Sequence, residues 1–142
     1  MKVNELMTKG VETVRPDTML EEVAGKMKDL GVGSIPVYDG KLLMGMITDR
    51  DIVIRSVARG EDPAGTKAGD TMSTEVVTCY EDEDIAAVAK MMKSKKVRRI
   101  PVVSRDNELV GMVSLGDIAE RGDVKLAEET LEKISEPSQP NK

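Results

Sequence analysis

The sequence predicts an α/β (α+β) protein built from two related β-α-β-β-α units. Three observations carry this. Short apolar runs rich in Val and Ile alternate with stretches whose apolar residues recur every three and four positions. Turn signals separate them, among them Asp39-Gly40 and Gly31 to Gly33. The pattern also occurs twice. Met7-Thr8 returns as Met72-Ser73, Val23-Ala24 as Val88-Ala89, and Ile35-Pro36-Val37 as Ile100-Pro101-Val102, all in one register. The second copy then gains one residue in a turn, so that Gly45 returns as Gly111 and Asp51-Ile52 as Asp117-Ile118.

The elements follow in order. A short strand is predicted around Val11 to Val14, then a helix start at Asp17-Thr18, both residue types being good caps. From Met19 to Leu30 the apolar residues Leu20, Val23, Ala24, Met27 and Leu30 share one helical face, and Gly31 and Gly33 end the helix. Ser34 to Val37 is a strand, Asp39-Gly40 a hairpin turn, and Lys41 to Ile47 a mostly apolar strand expected to be buried on both faces. Asp49 to Arg59 is helical. The second copy predicts a strand over Val76 to Cys79 and a helix near Asp84 to Lys95. Strands follow over Arg99 to Val103 and Glu108 to Val113, then a helix from Leu115. Pro36 and Pro101 fall inside strand patterns, which suggests edges or irregular strand starts. The organisation is residues 1–60 for the first repeat, 61–69 for a Gly- and Ala-rich linker, and 70–122 for the second repeat. Residues 123–142 form a C-terminal helix and polar tail, expected to be partly mobile. A unit of this size buries little surface alone, so the two are expected to pack together with pseudo-two-fold symmetry.

Composition narrows the function. The 142 residues carry a net charge of -5, which argues against broad binding to nucleic acid or anionic membrane. No apolar stretch approaches the length of a membrane span and the N-terminus lacks a signal-peptide pattern, so the cytoplasm is expected. One cysteine, Cys79, excludes an internal disulfide framework; it is expected to be a small buried residue rather than a reactive thiol. Histidine is absent, which removes the commonest general base and makes a zinc site unexpected. The expectation is no catalytic activity, no metal and no catalytic cofactor.

The motif that asks for a function is Gly-x-x-Thr/Ser-x-x-Asp, present as GMITDRD and GMVSLGD. Thr48 and Ser114 sit where a strand gives way to a helix, beside free backbone N–H groups that suit an anion. Asp51 and Asp117, three residues on, can accept two hydrogen bonds from a vicinal diol such as a ribose. The same spacing also makes a capping box, so a purely structural role stands beside the ligand reading. The basic run KSKKVRR, with Lys95, Lys96, Arg98 and Arg99, has three readings: a solvated helix end, a contact to an anionic ligand, or a nucleic-acid patch. The last lacks interleaved aromatics for stacking.

Taken together, the repeated Met-Thr/Ser, the Ser-Ile-Pro-Val and Arg-Ile-Pro-Val elements and the doubled Gly-x-x-Thr/Ser-x-x-Asp resemble a tandem CBS domain pair, the Bateman module, over about residues 3 to 122. The resemblance implies adenosine nucleotides (AMP, ADP or ATP), or S-adenosylmethionine or NAD as less favoured alternatives, in clefts between the repeats. It further implies a disc-like homodimer, or an effector protein, as partner. It assigns Asp51 and Asp117 to ribose and Thr48 and Ser114 to phosphate. Adenine is assigned to Thr13, Val14, Ile35 and Pro36 in one copy and Thr78, Cys79, Ile100 and Pro101 in the other. Arg98 and Arg99 supply positive charge in the second copy. The first has Gly33 and Ser34 there, so Arg50 or Arg55 would have to substitute.

Overall fold

The computed structural model describes residues 1–137, and the last five residues of the predicted tail lie outside them. The chain folds as two compact units. One is Glu12–Val76; the other joins Met1–Val11 to the chain from Val77 onward. Sequence repeats and compact units are therefore not coextensive. The N-terminal Met-Thr segment of the first repeat packs into the unit built mainly from the second.

In the Glu12–Val76 unit, α1 (Leu20–Leu30) precedes a hairpin of β1 (Ser34–Tyr38) and β2 (Leu43–Thr48), followed by α2 (Asp49–Arg55). Helix α1 forms because its apolar residues share a face: Leu20 and Val23 are fully buried and Met27 nearly so. Each such side chain contributes on the order of 1.5–3 kcal/mol by leaving water. They meet Ile35, Val37 and Ile47 from the hairpin. The helix starts differently from the sequence expectation. Thr18 turns its hydroxyl back to accept from Arg15 N (3.1 Å), and the N-cap is Met19. Without a side-chain cap, the first amides use the segment expected as linker: Leu20 N donates to Thr66 O (2.9 Å) and Glu21 N to Pro63 O (3.0 Å). Ala68 in the same segment is fully buried. The predicted Asp49–Arg59 helix ends at Arg55 and continues as a 3-10 turn over Val57–Arg59.

The first strand is shorter than predicted. Only Val14 bridges Val37, with Val14 N donating to Pro36 O (3.1 Å) and Tyr38 N to Val14 O (2.8 Å). The next rung would need an N–H at residue 36, which proline lacks, so parallel pairing ends there. Pro36 and Pro101 lie within regularly paired strands rather than at irregular starts, and the register shift falls one residue later, at Val37/Tyr38 and Val102/Val103. Strand β2 is not buried on both faces either: Met44 is 40% exposed.

The other unit has a three-stranded sheet in the order β3 (Cys79–Tyr80), β4 (Arg99–Val103), β5 (Leu109–Ser114). Strand β3 is confined to two residues and pairs parallel to β4 in the register Cys79↔Val102, which puts Pro101 where Pro36 sits in its counterpart. Helix α3 (Ile85–Lys95) is capped by Asp84, whose carboxylate accepts from Ala86 N (3.0 Å). Helix α4 (Leu115–Arg121) follows β5, and α5 (Val124–Ile134) packs on both α3 and α4. Its core gathers Val3 and Leu6 with Val88, Met92, Ile100, Val102, Val113 and Ile118.

The repeated glycine has a packing role inside each unit. Ser73 and Met46 exchange backbone hydrogen bonds, as do Thr8 and Met112. These bridges bring a carbonyl onto the glycine. A Cβ at Gly45 would lie 2.5 Å from Ser73 O, and one at Gly111 2.8 Å from Thr8 O.

Candidate functional site

In both units the hydroxyl and the aspartate close a capping box. Thr48 Oγ1 accepts from Asp51 N (3.0 Å), while Asp51 Oδ2 accepts from Thr48 N (3.0 Å). Ser114 Oγ accepts from Asp117 N (3.1 Å), while Asp117 Oδ2 accepts from Ser114 N (2.9 Å). The structural role is thus fulfilled twice. It does not exhaust the carboxylates, since each offers about four acceptor positions. The remaining oxygens differ. Asp51 Oδ1 lies 3.9 Å from Arg55 Nε, and Asp117 Oδ1 accepts from Thr8 Oγ1 at 3.4 Å. Thr8 is a contact the sequence did not reveal. The Met-Thr/Met-Ser repeat marked it as equivalent to Ser73, but not as a neighbour of a residue 109 positions away.

The second-copy arginines come together with the motif hydroxyl. Arg98, Arg99 and Ser114 line one hollow of about 440 Å³, whose apolar walls are Leu115 and Ala119 of α4 and Val124, Ala127 and Leu131 of α5. The register explains this, because Arg99 lies opposite Ser114 across β4 and β5. Glu128 supplies one carboxylate at the wall. Among the described residues the ion pairs involve groups other than Arg98 and Arg99. Asp117 does not line this hollow. It is 9% exposed and faces Thr8. The α5 residues were invisible to motif reading because they lie beyond the repeat.

The first copy is arranged otherwise. Arg50 lines a shallow depression with Asp49, Val53 and Ile54, and neither Thr48 nor Asp51 belongs to it. Arg55 is engaged, donating to Met72 O (3.2 Å) and Thr71 O (3.4 Å). Of the residues assigned to adenine, Val14, Ile35, Pro36, Cys79, Ile100 and Pro101 are buried, so their side chains serve the cores. Thr13, Ser34 and Thr78 are half-buried. Burial, and secondarily Glu83, pushes the Cys79 thiol up to about 12, which makes it a poor nucleophile.

Residues 3–57 and 68–123 each match the CBS domain. The protein belongs to the CBS domain family. It is 41% identical over 117 residues to the CBS domain-containing protein YhcV of Bacillus subtilis, covering 82% of each chain. Hypoxic response protein 1 of Mycobacterium tuberculosis is 35% identical over 81% of this CBS protein and 80% of its own length. The crystal structure of Hypoxic Response Protein I, which holds two coordinated zinc ions, gives a TM-score of 0.78 at 34% identity, covering 85% of this chain and 98% of that one. The CBS domain pair of protein MJ0100, in complex with 5′-methylthioadenosine and S-adenosyl-L-methionine, gives a TM-score of 0.75 at 25% identity, covering 88% and 98%. The fold is thus the mixed α/β arrangement of CBS pairs. Among the described residues no helix is long and apolar enough to cross a membrane.

Proposed function

We propose that this CBS domain pair is a non-catalytic sensor that binds an adenosine nucleotide, AMP, ADP or ATP, at its Thr48–Asp51 and Ser114–Asp117 motifs. The observation that carries the reading is the hollow that Arg98, Arg99 and Ser114 line together; Asp117, three residues on from Ser114, faces Thr8 outside it. Two guanidinium groups and a hydroxyl suit a phosphate, and a carboxylate with spare acceptor positions suits a ribose. The adenosine ligands of the MJ0100 pair support it. Binding is read out through a second copy or an effector protein in the cytoplasm. Val53, Ile54 and Val57 on α2 and the turn after it are 50–59% exposed and offer an apolar face for that contact. A ligand shifts the arrangement only by its differential affinity, and a coupling of about 1–3 kcal/mol is typical.

The closed capping boxes favour a second reading, in which both motifs only cap helices. Titration calorimetry on Asp117→Asn separates the two. Asparagine keeps an oxygen for Ser114 N, so the cap survives, but it loses the charge and an acceptor for a diol. The sensor reading expects at least about tenfold weaker nucleotide binding at nearly unchanged stability, a single lost charged hydrogen bond being worth about 1.5–3 kcal/mol. Wild-type protein that binds none of AMP, ADP and ATP leaves only the cap.

A further inference from the structure

Helix α5 has two apolar faces, and the core uses one of them. Asp123 caps the helix, its carboxylate accepting from Leu126 N at 3.1 Å. Ala127 and Thr130 are buried, and the Thr130 hydroxyl donates to Leu126 O at 2.6 Å. Leu126 and Ile134 pack against the same core. Val124, Glu128 and Leu131 recur at helical spacing and share the other face. Val124 is 58% exposed and Leu131 42%. Single exposed apolar residues need no account. These two line one hollow together with Arg98, Arg99 and Ser114.

The lining of that hollow sorts by chemistry. Its cations and hydroxyl come from strand ends: Arg99 opens β4, Ser114 closes β5 opposite it, and Arg98 precedes Arg99. Its apolar groups come from α4 and α5. The one carboxylate of the lining, Glu128, stands on α5 between Val124 and Leu131. It opposes an anion on the helix side, so a phosphate is directed to the arginine end and the uncharged part of its ligand to α5. Thr78, Cys79, Ile100 and Pro101, which the family resemblance assigns to adenine, do not line the hollow. A ring attached to a phosphate at Ser114 therefore finds its apolar contact on the helices. At about 440 Å³ the hollow falls within the roughly 300–1,000 Å³ of small-ligand sites. Among the described residues the first copy has no counterpart of α5, because the chain after its 3-10 turn goes on to cap α1.

We propose that the Ser114 hollow takes a phosphate monoester whose ring lies on α5, with Val124 and Leu131 determining which rings are held. The proposal rests on the sensor reading for its phosphate contact and moves the base from the Ile-Pro element to α5.

The test uses the full chain, with titration calorimetry and amide chemical-shift mapping. The probes are AMP, phenyl phosphate and inorganic phosphate. AMP is expected to move the amides of Val124, Ala127 and Leu131 as well as those of Arg99 and Ser114. Val124→Ala with Leu131→Ala removes the apolar wall and keeps good helix formers at exposed positions, so the fold should hold. It should weaken AMP about threefold to thirtyfold and leave inorganic phosphate unchanged. Arg98→Ser with Arg99→Ser should weaken both. AMP that binds without moving the α5 amides, or that binds the alanine variant as tightly as the wild type, overturns the proposal and leaves the sensor reading standing. An alanine variant that weakens inorganic phosphate as much as AMP also overturns it, since α5 would then act only through the fold. If AMP does not bind, the sensor reading fails, and phenyl phosphate decides the proposal by itself. Tighter binding than inorganic phosphate, with the advantage lost in the alanine variant, upholds it; no advantage, or no binding, overturns it.

Discussion

Gly45→Ala is the most direct probe of how this chain packs. Gly45 has no left-handed φ, so alanine suits its backbone and on conformational entropy alone would stabilise by about 0.4–1 kcal/mol. Packing opposes this. The new Cβ would meet Ser73 O at 2.5 Å and Met72 Sδ at 2.8 Å. The sulfur can rotate away. The carbonyl cannot, because Met46 N donates to it at 3.0 Å while Ser73 N donates to Met46 O at 2.8 Å. Accommodation therefore requires the Met-Ser segment to lift from β2, at the typical overpacking cost of about 1–3 kcal/mol or more. The clash wins, and the net expectation is about 2 kcal/mol of destabilisation. For a chain of this size that lowers Tm by roughly 4–8 °C. Differential scanning calorimetry measures it. Gly25→Ala in the middle of α1 is the control: nothing lies within 4 Å of its Cβ, so helix propensity alone should raise stability by about 0.5–1 kcal/mol. Two substitutions of the same chemistry should move Tm in opposite directions. A Gly45→Ala protein as stable as the wild type would refute the close approach at the repeated glycine.

Lys96 adopts φ +52° where the first copy has Gly31, and its Nζ donates to Glu136 O at 3.0 Å; Lys96→Gly should trade that exposed bond for relief of left-handed strain and raise stability by up to about 1 kcal/mol in urea titration. Cys79, with its thiol held near 12 by burial, should resist a disulfide reagent at pH 8 in the native protein and react at once in denaturant. Because that folded value lies above the ordinary 9.0, the stability it contributes is complete below about pH 9 and is lost as pH rises toward 12, so urea midpoints should fall across that window. Val53→Glu with Ile54→Glu places two charges on the exposed α2 face and should reduce the sedimentation coefficient if a second copy sits there, with the far-ultraviolet spectrum unchanged.

Much of the fold was legible because the chain repeats its apolar pattern. Leu20, Val23 and Met27 are spaced for one helical face, and their counterparts Ile85, Val88 and Met92 repeat that spacing, so α1 and α3 were visible as elements and as equivalents. The hairpins were equally plain, since Asp39 accepts from both Lys41 N (2.8 Å) and Leu42 N (2.7 Å) in the turn that Asp-Gly announces. What stayed hidden depends on distant partners. No local signal shows that the amides of Leu20 and Glu21 are satisfied by Thr66 and Pro63, so the start of α1 was sought at Asp17-Thr18 and a capping segment was taken for a linker. Nor does the Met-Thr dipeptide reveal that it lies on the other repeat's glycine. The capping boxes of Asp51 and Asp117 were visible from their spacing, whereas the wall that α5 adds to the Ser114 hollow was not.

The exchange of N-terminal segments bears on how a ligand signal could travel. Thr8 touches Asp117 through its hydroxyl and exchanges backbone hydrogen bonds with Met112, two residues before Ser114. Three residues further along the chain, at Val11, the unit ends, and Glu12 opens the other. A diol that bonds to Asp117 Oδ1 competes with the 3.4 Å contact from Thr8 Oγ1, which is long for a hydroxyl hydrogen bond and so the contact most easily given up. On the proposed function, a ligand at Ser114–Asp117 would act first on the N-terminal segment that carries Thr8. Thr8→Val tests this connection without touching the cap. It removes the competing hydroxyl, so nucleotide affinity should rise by a fewfold, an order of magnitude at most for one neutral hydrogen bond of about 0.5–1.5 kcal/mol. Unchanged or weaker affinity in calorimetry would show that Thr8 does not compete with the ligand, and the route through the N-terminal segment would be lost.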